Sequence, residues 1–237
     1  MDNTDLKTNG QSFHHFWYQC RRQLIKNIFK KYHLQGRNVM EVGCGAGSQL
    51  LALAQLSNRV SGVDINREAL AVAANQGLNV YLHDIEQSAL TRSPYDIICM
   101  FDVLEHIHDD SKALANIRQS LAPNGLFIFS VPAYQFLFSG HDRKLKHFRR
   151  YSKKVIKERL HAQKFAIIEM YYWNSCLLPL VILRRLLTRK KLASDINCCH
   201  WLNPLFSLIL SLENKLISYG VRIPFGLSIV GVAKRLD

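Results

Sequence analysis

The sequence predicts an α/β fold built on a parallel sheet covered by helices on both faces. Three observations predict it. Short apolar, β-branched runs alternate with helix-length segments, the signature of repeated strand–helix–strand units. The first run passes directly into a glycine-rich turn, Gly43-Cys44-Gly45-Ala46-Gly47. Asp64 and Asp84 then close the next two runs, so the polar motifs gather at strand carboxyl ends, where such sheets open a cleft.

Taken in order, Phe13–Tyr32 reads as a helix, aromatic at first and then alternating apolar and basic residues. Val39–Val42 is the first strand, and Ser48–Leu56 a crossover helix with apolar residues on most faces. Arg59–Asp64 is a strand, Arg67–Asn75 a helix, Asn79–His83 a strand and Tyr95–Phe101 another. Ser111–Leu121 is a helix stopped by Pro123-Asn124-Gly125, and Gly125–Val131 is the fifth strand. The pattern changes after Pro132. Ala133–Tyr151 is a polar and aromatic loop, Ser152–Gln163 a basic helix and Phe165–Tyr171 a strand. Two apolar helices, about 175–189 and 201–219, flank a basic connection, and Leu227–Ala233 follows Pro224-Phe225-Gly226 as an edge strand. One domain spanning 1–237 with an inserted helical cap is the simplest organisation: helix to 36, core 37–131, basic loop and cap 132–222, last strand 223–237.

Charge is unevenly placed. Residues 1–140 hold 12 Lys/Arg and 12 Asp/Glu, whereas residues 141–237 hold 19 against 6. The basic part therefore faces something anionic: nucleic acid, an acidic membrane surface or a phosphorylated small molecule. None of the six cysteines forms a C-x-x-C pair, so no disulfide framework and no metal site are expected, even at Cys198-Cys199-His200. The first twenty residues lack an apolar core, and the apolar run Cys176–Leu183 contains Pro179 and stops at Arg184. The expectation is a cytoplasmic protein, with 175–191 able to lie on an anionic membrane but not to span one.

A glycine turn between strand and helix admits a ligand against the backbone and aims free N–H groups at it. Asp64, 21 residues after Gly43, suits the two hydroxyls of a ribose, and Asp84 suits an exocyclic adenine amine. Two residues choose between adenosine cofactors. A dinucleotide fingerprint wants Gly or Ala where Ser48 stands. Glu41, two residues before the first glycine, opposes a pyrophosphate but suits an ammonium or sulfonium.

On these residues the chain resembles the class I S-adenosylmethionine-dependent methyltransferases: Glu-x-Gly-x-Gly-x-Gly at 41–47, Val-Asp at 63–64, His-Asp-Ile at 83–85, and Tyr-Asp-Ile-Ile-Cys-Met-Phe-Asp-Val-Leu-Glu-His-Ile at 95–107. The resemblance implies a Rossmann-like three-layer sandwich whose seven-stranded sheet ends in an antiparallel strand. It also implies that Glu41, Gly43, Cys44, Gly45 and Gly47 surround the methionine part of the cofactor. Asp64 and Ile65 would meet the ribose, Asp84 and Ile85 the adenine, and Met100 and Phe101 the sulfonium side.

The acceptor side is expected in the segment after the fifth strand. Ten Lys/Arg and one acid, Glu158, lie between Arg143 and Lys164. Lys153, Lys154 and Lys157 suit a solvated face, while Asp142, His147, Arg150 and Tyr151 are placed to bind an acceptor. His-Asp at 141–142, His-x-Arg-Arg-Tyr at 147–151 and Pro-Phe-Gly-Leu-Ser at 224–228 are similar to a bacterial group of these enzymes associated with cell-surface glycan or lipid genes. Methyl transfer needs chiefly alignment, with a base only for a hydroxyl or ammonium acceptor. His106, which could equally be structural, and His141, paired with Asp142, are the candidates. Apolar residues of 173–183 and 201–212 would roof the pocket or simply pack a cap. The expected reaction is therefore methylation, on O or N, of a small apolar or anionic acceptor, with RNA methylation or a non-catalytic membrane-surface role as alternatives. Nucleic acid is the weaker partner, because no RNA-binding module is appended and Phe101-Asp102-Val103-Leu104 lacks an Asn/Asp-Pro-Pro-aromatic signature.

Overall fold

A computed structural model describes residues 16–90, 94–187 and 203–237. The Cys198-Cys199-His200 run, the first residues of the N-terminal helix and the basic connection between the last two helices lie outside the described residues. Seven strands form one sheet in the order β3-β2-β1-β4-β5-β7-β6. They are β1 (Asn38–Val42), β2 (Arg59–Asp64), β3 (Val80–Leu82), β4 (Tyr95–Phe101), β5 (Leu121–Pro132), β6 (Phe165–Trp173) and β7 (Ser228–Arg235). The first five pair in parallel, and β7 runs antiparallel to both β5 and β6. The helices are α1 (Phe16–Lys31), α2 (Leu50–Ala54), α3 (Arg67–Asn75), α4 (Asp110–Ser120), α5 (Gly140–Lys144), α6 (Lys153–Ala162), α7 (Leu178–Leu187) and α8 (Asn203–Ser218).

The two-residue period of β4 explains the layering. Ile98 and Met100 join one buried cluster with Leu114 and Ile117 of α4 and Ile156 and Leu160 of α6. Ile97, Cys99 and Phe101 join the opposite cluster with Leu24, Ile28 and Phe29 of α1 and Leu210 and Ile217 of α8. Alternate residues thus supply two cores, which requires apolar character at every position of a central strand. On the second face α1 and α8 meet through Phe16 and Phe206, whose ring centroids are 5.4 Å apart.

Three expectations are corrected. The chain's last strand is not at the edge: β7 lies between β5 and β6, buried from Ser228 to Ala233. Gly231 permits this, because a Cβ there would stand 2.3 Å from Cζ of Phe129 on the neighbouring strand. The edge falls instead to β6, whose polar Glu169 is held by Lys31 Nζ at 2.5 Å, by Tyr32 Oη at 2.6 Å and by Arg222. Segment 133–151 is not merely a loop, since it contains α5 and a 3₁₀ turn, Gln135–Leu137. The first crossover helix is shorter than expected, only Leu50–Ala54.

Burial opposes ionisation of Glu169, but hydrogen bonds from Lys31 and Tyr32 and the charge of Arg222 prevail and hold its pKa below the ordinary 4.5. A lowered folded-state pKa contributes stability that is present above about pH 4.5 and is lost as the pH falls through the folded value. Glu169→Gln is therefore expected to lower Tm at neutral pH and to flatten its fall below about pH 4.5. Thermal unfolding followed at several pH values checks this; parallel wild-type and variant curves would refute it.

Candidate active site

The strand order sets Asp84, Asp64, the glycine turn and Asp102 side by side along the carboxyl edge of β3, β2, β1 and β4. The turn is tied down at once: Gly43 and Cys44 N–H both donate to the Val63 carbonyl, at 2.8 and 3.0 Å. Gly43 and Gly47 take φ of 75° and 88°, and a Cβ on Gly43 would lie 2.3 Å from Val103 Cγ2. Both conformation and space demand glycine there. Asp64 shapes the same turn, accepting from Gly45 N–H and from Asn66 N–H, each at 2.8 Å. A carboxylate has about four lone-pair sites, so two such bonds leave acceptor capacity for a ligand's hydroxyls. Asp84 is oriented in the same way by Glu86 N–H at 2.9 Å, and His83 N–H donates to the Asp64 carbonyl at 3.1 Å, locking the two strand ends together.

Glu41 lies under the turn, 3% exposed, and its Oε2 has no hydrogen-bond partner among the described residues. Burial, reinforced by Asp64 and opposed by Arg21, pushes its pKa well above the usual carboxylate range. A carboxyl in that setting gains most from a cationic neighbour. The hydroxyl of half-buried Ser48, itself shielded from solvent, is likewise unpartnered among the described residues, and nothing stands within 4 Å of where a Gly45 Cβ would be. These features fit an adenosine-bearing sulfonium. Met100 does not line this space with its side chain, which is fully buried in the sheet core. Phe101 faces the opposite side, near Arg21 and Trp173. Ile85 is buried, whereas Ile65 is 71% exposed beside Asp64.

The surroundings of the β4 end and of the segment after β5 were only partly legible in the sequence. Asp102, the residue after β4, has φ of 53°, accepts from Ser130 Oγ at 2.9 Å and pairs with Arg21 of α1. The Arg21 guanidinium is 5.2 Å from the Trp17 ring centroid and 5.8 Å from that of Trp173. Sequence reading missed Arg21, because nothing in an amphipathic helix marks one arginine as reaching a strand end. Asn174, fully buried after β6, leaves both amide atoms without a partner among the described residues.

Asp142 and Tyr151, expected at the acceptor, are fully buried and committed to the protein. Asp142 accepts from Ser139 N–H at 2.8 Å, Arg150 Nε at 2.7 Å and His147 Nδ1 at 3.0 Å. His147, five residues on, is thus one of its partners. Burial opposes its ionisation, yet the bonds from His147 and Arg150 hold the carboxyl below the usual range. Tyr151 donates to Asp110 Oδ2 at 3.0 Å, while Arg149 and Arg159 pair with the same carboxylate. These residues brace the rim. His106 stays exposed at the rim, although desolvation by the groups packed around its ring, and then the nearby His147, push its pKa down to about 4. Beside it, Glu105 is 1% exposed and neither carboxylate oxygen has a partner among the described residues.

A methyltransferase-domain family profile matches residues 13–170. The chain belongs to that family. Its fold is that of the class I S-adenosylmethionine-dependent methyltransferases, with the antiparallel seventh strand of that class. Over 130 residues it is 32% identical to a ubiquinone biosynthesis O-methyltransferase of Paraburkholderia phymatum, covering 50% of this chain and 56% of that protein. This methyltransferase spans about half the length of the curated relatives it matches. Among solved structures, an S-adenosylmethionine-dependent methyltransferase from Clostridium acetobutylicum superposes with a TM-score of 0.61 at 15% identity, over 93% of this chain and 92% of that one. The N-methyltransferase NodS of Bradyrhizobium japonicum, in complex with S-adenosyl-L-homocysteine, gives 0.57 at 15% identity, over 92% and 87%. Among the described residues no helix is long and apolar enough to cross a membrane.

Proposed function

We propose that the enzyme methylates a hydroxyl group on a small, largely apolar acceptor that it meets at a lipid surface. When bound, the cofactor supplies an electrophilic methyl on a sulfonium; the residues of the chain hold and align both partners. Glu41 and the turn at 43–47 would face the methionine end, Asp64 and Ile65 the ribose, and Asp84 and Ile85 the adenine. The acceptor would enter between α1 and the rim, against Trp17, Trp173 and the Arg21–Asp102 pair. The observation carrying this reading is the grouping of His106 with Glu105 and His147 just beyond β4, their side-chain N and O atoms within 4.8 Å of one another: that side of the cleft offers lone pairs to a hydroxyl. Such a group serves a hydroxyl acceptor. The likeness to a protein named for O-methylation in ubiquinone biosynthesis supports the choice of oxygen and of an apolar substrate. The cofactor core at 37–131 and the acceptor-side segment at 132–222 divide the labour.

Exposed apolar side chains support the lipid surface. Leu205, Leu208, Leu212 and Leu216 of α8 are each about half exposed or more, as are Leu180 and Leu183 of α7. Spacings of three and four place the α8 leucines along one outward stripe, beside a strongly basic sequence segment. Their exposure turns these side chains outward. The test presents cell-extract lipids in vesicles containing anionic phospholipid, together with methyl-labelled cofactor and enzyme. Label is expected in an organic-soluble, base-stable ether, with enzyme pelleting alongside the vesicles; label confined to RNA or water-soluble amines would overturn the reading.

A further inference from the structure

Glu105, His106 and His147 each offer one ligating atom, and these three atoms lie within 4.8 Å of one another. Donors bound to a common ion at about 2.1 Å stand roughly 3 to 4 Å apart, so small side-chain rotations close the set. We propose that this cluster is a divalent transition-metal site at the acceptor side of the cleft, a site that cysteine spacing gave no reason to expect.

Three features argue for an ion rather than a hydrogen-bonded network. Glu105 is buried and aims at the two imidazoles a carboxylate that no donor satisfies. A buried polar group without a partner is costly, and a coordinated ion removes the cost. His147 gives its Nδ1 to Asp142, which leaves Nε2 as the nitrogen with a free lone pair. The His106 ring stands edge-on to that of His147, with centroids 4.5 Å apart, so the two imidazoles are already side by side. Metal-bound histidines typically give their other ring N–H to a carboxylate or a backbone carbonyl, the arrangement seen at His147. Asp142 is itself anchored by Ser139 and Arg150, so the imidazole it orients is held firmly.

The donor set selects the ion. Two imidazoles and one carboxylate suit Zn²⁺, Co²⁺, Mn²⁺ or Fe²⁺, whereas Mg²⁺ and Ca²⁺ prefer all-oxygen shells. Three protein ligands with exposed His106 leave coordination positions open to an oxygen from outside. A hydroxyl of the acceptor bound there releases its proton to solvent more readily. That role rests on the methylation reading; ion binding does not.

The test titrates Co²⁺ into chelator-treated, full-length enzyme without cofactor or acceptor, and follows the visible ligand-field bands. One Co²⁺ per chain is expected, displaced by Zn²⁺, with no thiolate charge-transfer absorption. His106→Asn, at an exposed position, and Glu105→Gln are each expected to weaken uptake by at least tenfold. Circular dichroism shows that the variants are folded, and S-adenosylhomocysteine binding, measured separately, reports on the cofactor site. Absence of Co²⁺ uptake by folded wild-type protein overturns the proposal. So does uptake that persists in folded His106→Asn, or cobalt spectra dominated by thiolate bands, which would place the ion on cysteines.

Discussion

Asp64→Ala is expected to weaken binding of S-adenosylhomocysteine by about a hundredfold or more, measured by titration calorimetry. The carboxylate holds Gly45 N–H and Asn66 N–H at 2.8 Å, and its remaining lone pairs face the cleft beside the turn. A hydrogen bond to a charged group contributes about 1.5–3 kcal/mol, so losing two to a ribose removes roughly 3 kcal/mol or more. At about 1.4 kcal/mol per tenfold, that is at least two decades in affinity. Asp64→Asn keeps one acceptor oxygen and should lie between wild type and alanine. The demethylated product is the right probe, since it lacks the sulfonium charge and isolates the ribose contribution from Glu41. Wild-type affinity in well-folded Asp64→Ala would remove the ribose assignment and, with it, the placement of the cofactor along the strand edge.

Asp142→Ala is expected to destabilise the fold by about 3–5 kcal/mol, the usual consequence of deleting one member of a buried ion pair. Arg150 has only 9% of its side chain exposed and would keep its charge with no counter-ion. The same carboxylate accepts from the Ser139 backbone and hydroxyl, so the first turn of α5 loses its cap as well. The measurement is urea unfolding, with the shift in midpoint at an unchanged slope giving the loss. Asp142→Asn, which retains acceptor oxygen without charge, should cost less. A change below about 1 kcal/mol would show that the rim can pair Arg150 elsewhere, and the bracing role given to Asp142 would fall.

Both residues were visible in the sequence, but only one was legible in its surroundings. Asp64 sits on a strand end at a fixed distance from a glycine turn, and that local grammar already sets its carboxylate beside the turn, where it accepts from Gly45 N–H. Asp142 sits in a basic, aromatic stretch, where proximity in sequence suggested pairing with His141 and contact with an acceptor. Folding turned it inward to His147 and Arg150, because α5 closes the segment into a compact turn. Met100 was expected beside the cofactor, yet strand alternation directs its side chain into the core.

The sequence alone determined the alternation of strands and helices, the glycine turn, the acids at successive strand ends and hence the class of cofactor. Each depends on backbone preferences and periodicities that act over a few residues. Only the tertiary structure decided that β7 lies inside the sheet, since that depends on Gly231 fitting against Phe129 of a strand about a hundred residues earlier. It alone brought Arg21 to Asp102 across 81 positions, and His147 to Glu105 and His106. Such pairings are set by how distant segments pack, and side-chain chemistry read along one chain carries no record of them.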